Sequence, residues 1–232
     1  MTALLTALLL LMPAPDAEKV PELKELLTQR NTDAALTLLK EIGALKGNDA
    51  EAKALLKLIR ARKPKKPPEV LEASFMALQG IGSKKVTKHL LLLLDHRMAK
   101  DPAVRIGICR ALQGSVDKAA SKDLTKLLRD KEDTVAAAAA SAIGAYRYAP
   151  EATRKDLFKV VMNILDSTWN VKNSVKPDLK VERRRAQKKW AIIAKPFEKT
   201  LELLSNTRQR HPAEWRKWWN KNKRKKWGNA PQ

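Results

Sequence analysis

The sequence predicts an all-α fold, an α-solenoid of stacked helix pairs, on three observations. Leu, Ala, Lys and Glu dominate the 232 residues, only 5% are aromatic, and β-branched clusters and tight hairpin dipeptides are scarce. The eight Gly and twelve Pro fall mostly between stretches of helical apolar periodicity, where helices start and stop. Finally, the chain repeats itself at a spacing of about 34 residues, and a period of that length with two helices per unit is the mark of a solenoid.

The clearest repeats are residues 67–100, 101–131 and 132–165. Val70, Val104 and Val135 correspond, as do Ala77, Ala111 and Ala142, and then Leu78, Leu112 and Ile143. These spacings keep one stripe of each first helix apolar. Gly80, Gly114 and, one place early, Gly144 are expected to end that helix in a left-handed conformation. The second helices bring Leu90, Leu124 and Leu157. Asp101 can cap a helix whose first residue is Pro102. The run Ala136 to Ala140 leaves one helix almost without side-chain bulk, so its neighbours can come close.

Ahead of the array, Pro21–Gln29, Ala34–Ile42 and Glu51–Arg62 read as three further helices. Gly43 is expected to end the second of them. Residues 63–68 (KPKKPP) cannot stay helical and read as a kinked turn between units. After Leu165 the repeat is lost, and residues 170–177 read as a loop. Leu179–Ala194 is a basic helix that Pro196 is expected to break or kink, and Phe197, Leu201 and Leu204 form the apolar edge of the next. Pro212 opens a short helix, Ala213–Asn220, before a basic tail.

The repeats resemble the HEAT-like family in its short, phycobilisome-lyase-type form, clearly over about 100 residues and loosely over about 190. The ending Glu214-Trp215-Arg216-Lys217-Trp218-Trp219-Asn220 is similar to the closing Trp-x-x-Trp-Trp segment of exported bacterial HEAT-repeat proteins. The resemblance implies a non-catalytic interaction scaffold of about five helix pairs, because function on such folds lives in grafted surfaces. The basic helix and tail depart from the family pattern. The implied organisation is a signal peptide at 1–17, a HEAT-like solenoid over 18–205, and a Trp-rich cap with a basic tail over 206–232.

Charge points to the partner. The chain carries a formal +22, and residues 172–232 hold 19 Lys and Arg against 5 Asp and Glu, whereas the first 171 residues hold 28 against 20. That asymmetry makes the C-terminal third the expected electrostatic footprint. Arg183, Arg184 and Arg185 with Lys188 and Lys189 cannot all face one way, but Arg185, Lys188 and Lys189 share a helix face with Glu182 as an available ion-pair partner. With Lys221, Lys223, Arg224, Lys225 and Lys226 they are the candidate partner-binding cations. Trp215, Trp218 and Trp219 lie at i, i+3 and i+4. Their expected role is to close the open end of the solenoid, and the alternative is a stacking platform for bases or sugars.

No catalytic, cofactor or metal site is expected. Nucleotide-binding glycine loops, zinc motifs and nucleophile elbows are absent from the sequence. His89 and His96 lie seven apart without a third ligand at metal spacing. Asp130, Glu132 and Asp133 read as helix-capping carboxylates. Cys109, the only cysteine, sits in an apolar helix and reads as a small hydrophobe. Ala3–Met12 is a ten-residue apolar run before small residues and Ala17, too short to span a bilayer and suited to a signal-peptide core, although no Lys or Arg precedes it. The expected function is therefore an exported scaffold, without a stable membrane span after processing, that binds an acidic protein or anionic polymer of the cell envelope. The alternative is sequence-independent nucleic-acid binding by a cytoplasmic protein.

Overall fold

A computed structural model describes residues 19–61 and 63–228, so the expected signal peptide at 1–17 lies outside the described residues. The described chain is all-helical, with eleven packed α-helices and no strand among the described residues. They are α1 (Lys19–Thr28), α2 (Thr32–Ala44), α3 (Asp49–Arg60), α4 (Pro68–Ile81), α5 (Lys84–Leu94), α6 (Pro102–Leu112), α7 (Lys118–Leu127), α8 (Asp133–Gly144), α9 (Glu151–Lys172), α10 (Lys180–Ser205) and α11 (Pro212–Asn222). No helix among the described residues is long and apolar enough to cross a membrane.

Local chemistry sets most helix starts. Asn31, Asn48, Ser83, Asp101 and Asp117 each accept a backbone N–H of the first turn through their side chains. Proline occupies the first position of α4, α6 and α11, where no amide is wasted.

The packing follows two successions. α2, α4, α6, α8 and α10 pack one on the next, and α3, α5, α7 and α9 do the same. α1 meets both α2 and α3, and α11 packs on α9. Between them runs one hydrophobic core, from Val20 to Trp227.

The glycines in this packing do a different job from the one expected. Gly80 lies inside α4 and Gly43 inside α2, Gly144 is the last residue of α8 with φ −57°, and the left-handed cap of α4 is Gly82, at φ +57°. What the glycines permit is close approach. A side chain at Gly80 would run into the carbonyl of Gly43, one at Gly114 into the carbonyl of Gln79, and one at Gly107 into the ring of Phe75. A Cβ at Gly43 would stand 3.1 Å from the Cα of Ala77. α2 and α4 therefore meet nearly backbone to backbone, the turn after α6 comes equally close to the end of α4, and α6 itself receives the Phe75 ring at Gly107.

Two boundaries also differ from expectation. α9 continues to Lys172, because Trp169 and Lys172 pack against Trp190 of α10 and Asn173 bonds back to the Trp169 carbonyl from both its amide and its side chain. Pro196 does not end α10, which runs unbroken for 26 residues. The ring removes one helical bond, but the surroundings hold the helix in place. Phe197 and Leu201 are fully buried, and the Thr200 hydroxyl bonds the Ala140 carbonyl of α8 at 2.6 Å.

A buried ion pair fastens the middle of the chain. Arg105 on α6 donates twice to Asp130 before α8, at 2.8 and 2.9 Å, and its remaining amino group reaches the carbonyls of Ala99 and Lys100. Asp130 in turn accepts the Glu132 amide. Bidentate geometry with satisfied donors is the arrangement in which a buried pair tolerates its desolvation.

Gly80→Ala tests the close-approach role. In an exposed helix this change stabilises by up to about 1 kcal/mol. Here it is expected to destabilise by about 1–3 kcal/mol through overpacking against Gly43. Gly228→Ala, with nothing within 4 Å of the added atom, is expected to change stability by less than about 0.5 kcal/mol. Urea midpoints of the two variants decide it, and a stabilised Gly80→Ala would overturn the role.

Candidate functional site

The basic helix face is the first part of the site. α10 begins at Lys180 and packs along α8 and α9, from Lys189 beside Asp133 to Thr200 beside Ala140. Arg184, Arg185 and Lys188 are exposed, and among the described residues none of them pairs with a carboxylate. Arg183 turns back and donates to the Ser174 carbonyl at 3.2 Å. Lys189 lies 3.5 Å from Asp133, so its partner is a carboxylate of α8 and not Glu182. Arg185, Lys188 and Lys189 line one shallow groove of about 480 Å³, with Ser167, Thr168 and Val171 of α9 on its other side.

The tryptophans form the second part, and they turn inward. Trp215 is fully buried, and Trp218 and Trp219 are half-buried. All three pack around Phe158 of α9, with centroid distances of 5.8, 5.3 and 5.5 Å. Trp227 completes the cluster at 5.4 Å from Phe158 and 5.1 Å from Trp218. Pairs at these separations add to what area burial alone provides. Trp169 and Trp190 make a separate pair 5.0 Å apart, with the Lys172 ammonium over both rings at 4.2 and 5.2 Å.

The basic tail is the third part. Lys221, Lys223, Arg224, Lys225 and Lys226 are all exposed. The chain is fastened immediately around them. Lys155 donates to the Lys225 carbonyl at 2.7 Å, and Glu151 accepts the Trp227 amide at 2.9 Å. Arg154 holds the Gly228 carbonyl at 3.0 Å and the Leu204 carbonyl of α10 at 3.3 Å. Arg154 is only 2% exposed, its Nε has no partner, and among the described residues no carboxylate forms an ion pair with it.

The structure therefore splits the cations that the sequence suggested joining. The tail docks near Glu151–Lys155, and the α10 groove lies near Ser167–Val171, at opposite ends of α9. At 1.5 Å per residue they stand roughly 20 Å or more apart. Trp227, Phe158, Arg154 and Glu151 escaped sequence reasoning altogether. Trp227 stands alone in a cationic run, and an aromatic residue there was the available signal. Arg154 precedes Phe158 by one helical turn, which was the other.

Two reactive groups lie elsewhere. Cys109 is buried, and that burial pushes its thiol up to about 12. Tyr146 is likewise raised to about 12, chiefly by burial, while its hydroxyl donates to the Asp117 carbonyl at 2.5 Å. Among the described residues no three His, Cys, Asp or Glu side chains converge as a metal set would. Comparison with known proteins finds no family profile and no curated sequence that matches the chain.

The tail dock has a definite acid response. The hydrogen-bonded Lys155 ammonium, followed by the Trp227 amide, holds the Glu151 carboxyl below its ordinary value of 4.5. A depressed carboxylate stabilises the fold fully above its unfolded pKa, and the contribution is lost as pH falls through the folded one. Acidification below about 4.5 is expected to loosen Trp227 and shift tryptophan emission to the red before global unfolding. Glu151→Gln is expected to abolish that early step, and identical acid transitions in the two proteins would sink the assignment.

Proposed function

We propose that the chain is a non-catalytic binding scaffold of the HEAT-like α-solenoid type, closed at its C-terminal end by α11, that holds an acidic protein or anionic polymer of the cell envelope. The two successions of helix contacts support the solenoid, since each helix pair leans on the next. The aromatic cluster on Phe158 supports the closing role of α11, because it covers the apolar flank of α9. Placement in the envelope rests on the apolar run before Ala17.

The carrying observation is the exposed trio Arg184, Arg185 and Lys188, free of carboxylate partners among the described residues, of which Arg185 and Lys188 line a groove. Unpaired surface cations of one sign draw an anionic partner and orient it. A nucleic-acid reading ranks second. Sequence-independent single-strand binding leans on aromatic platforms, and here Trp215, Trp218 and Trp219 pack on Phe158.

Anisotropy with labelled poly-glutamate and a labelled DNA duplex, at low and at ~150 mM salt, tests the proposal. Replacing Arg184, Arg185 and Lys188 by Ala is expected to weaken poly-glutamate binding on the order of 10-fold. Replacing Lys223, Arg224, Lys225 and Lys226 should matter less. Unchanged poly-glutamate affinity in the first variant would refute the α10 site. Duplex binding tighter than poly-glutamate binding at the higher salt would put nucleic acid first.

A further inference from the structure

An unbalanced charge outside the C-terminal third lies on α3. Ala52, Leu55, Leu56, Leu58 and Ile59 are buried on one side of that helix. Lys53, Lys57 and Arg60 follow at i, i+4 and i+7 and stand exposed as a single stripe. The stripe extends roughly 10 Å along the helix.

A groove runs on either side of this stripe. Between α1 and α3 it measures about 660 Å³, with an aliphatic floor that includes Val20, Ala54 and Leu58 and a rim of Lys24, Lys53, Lys57 and Lys63. Between α3 and α5 it measures about 540 Å³, floored by Leu56 and Leu92 and edged by Lys53, Lys57, Arg60, His89 and His96. Among the described residues no carboxylate lines either groove. Among the described residues none of Lys24, Lys53, Lys57, Arg60 and Lys63 forms an ion pair, whereas the neighbouring Lys19 and Lys85 are held by Glu41 and Asp49.

The imbalance is local. The next groove, between α5 and α7, sets Asp95, Asp117 and Asp123 against Lys84, Lys88 and Lys126. Like charges one turn apart, as at Lys53 and Lys57, repel in the free protein, and an anionic partner relieves that repulsion. The floor adds a second requirement. Leu92 is 58% exposed and contributes apolar surface to the groove beside α3, so a partner of charge alone would leave this surface wet. Among the described residues no aromatic side chain lines either groove, and base stacking is what sequence-independent strand binding leans on.

We infer that the α1–α3–α5 face docks an acidic amphipathic segment of another protein. Its apolar side chains rest on the aliphatic floor, and its carboxylates meet Lys53, Lys57 and Arg60. A helical segment with acidic residues at i, i+4 and i+7 matches the stripe in pitch and sign, the helix-in-groove mode of recognition. The face stands apart from the α10 site, shares no residue with it, and does not depend on it.

The test uses the full chain and three labelled probes: a Glu/Leu peptide patterned as an amphipathic helix, the same composition scrambled, and oligo-dT. Lys53→Glu/Lys57→Glu is expected to lower affinity for the patterned peptide at least ~10-fold, with an unchanged circular dichroism melting curve because both residues are exposed. Leu92→Ser, which leaves every charge in place, is expected to lower binding of the patterned peptide and not of the scrambled one. Replacing Arg184, Arg185 and Lys188 by Ala should leave patterned-peptide affinity within about 2-fold, which separates this face from the C-terminal one. Equal binding of patterned and scrambled peptides would reduce the face to bulk charge and overturn the inference. Tighter binding of oligo-dT, or full retention of affinity in Lys53→Glu/Lys57→Glu, would overturn it as well.

Discussion

The contact between α2 and α4, and between the end of α4 and the turn after α6, is a contact of backbones. Gly43, Gly80, Gly107 and Gly114 remove the side chains that would otherwise hold these helices apart, and Ala77 and the Phe75 ring fill the space that remains. At such distances the helix separation is fixed by main-chain atoms, which do not repack. Everything further along the chain inherits that spacing. α8 continues it with alanines, and α10 closes on α8 through the Thr200 hydroxyl and the Ala140 carbonyl. Along the other succession, grooves open between α1, α3, α5 and α7.

The C-terminal end is assembled by a different chemistry. The backbone approach of the early helices gives way to large rings, with Phe158 at the centre of four tryptophans. Arg154 complements the rings by gathering the carbonyls of Leu204 and Gly228, the last turn of α10 and the tail. A guanidinium suits this position because its planar donors reach two carbonyls that are distant in sequence. The tail is thereby tied to α9 by its backbone, while its lysines point outward. Structure and charge are kept on separate atoms, and the cations stay available to solvent.

Charge is organised by face more than by region. The composition shift places the excess in the last sixty or so residues, yet that excess is divided between the α10 groove and the tail. A comparable unbalanced stripe stands on α3, where the local composition is unremarkable. Lys53, Lys57 and Arg60 are separated by apolar residues in the chain and become neighbours only on the helix surface. Their freedom from carboxylates depends on where Asp49 and Glu51 point: Asp49 engages Lys85 and Ser83, and Glu51 is buried against the Lys19 amide. Neither engagement is visible without the fold.

Much of the secondary structure was legible in the sequence, because caps, prolines and apolar periodicity act within a few residues of one another. Asp101, read as a cap before Pro102, begins α6 by bonding its own first turn, and the repeat of Val, Ala and Leu marks the faces that are buried. The glycines were visible but misassigned. A glycine near a helix end signals either a left-handed cap or a close neighbour, and only the position of α2 against α4 tells which. Pro196 was misjudged for the same reason: local sterics argue for a break, and burial of Phe197 and Leu201 outweighs them. At the candidate site the sequence supplied the cations and the Trp215–Trp218–Trp219 face, while Arg154, Trp227 and the α3 stripe waited on contacts between residues 32 to 76 positions apart. By itself, then, the sequence determined which segments are helices, which faces are apolar and how much charge there is. Only the tertiary structure decided which cations stand together and which aromatics are covered, because those depend on distances between helices, and these are set by packing and not by neighbours along the chain.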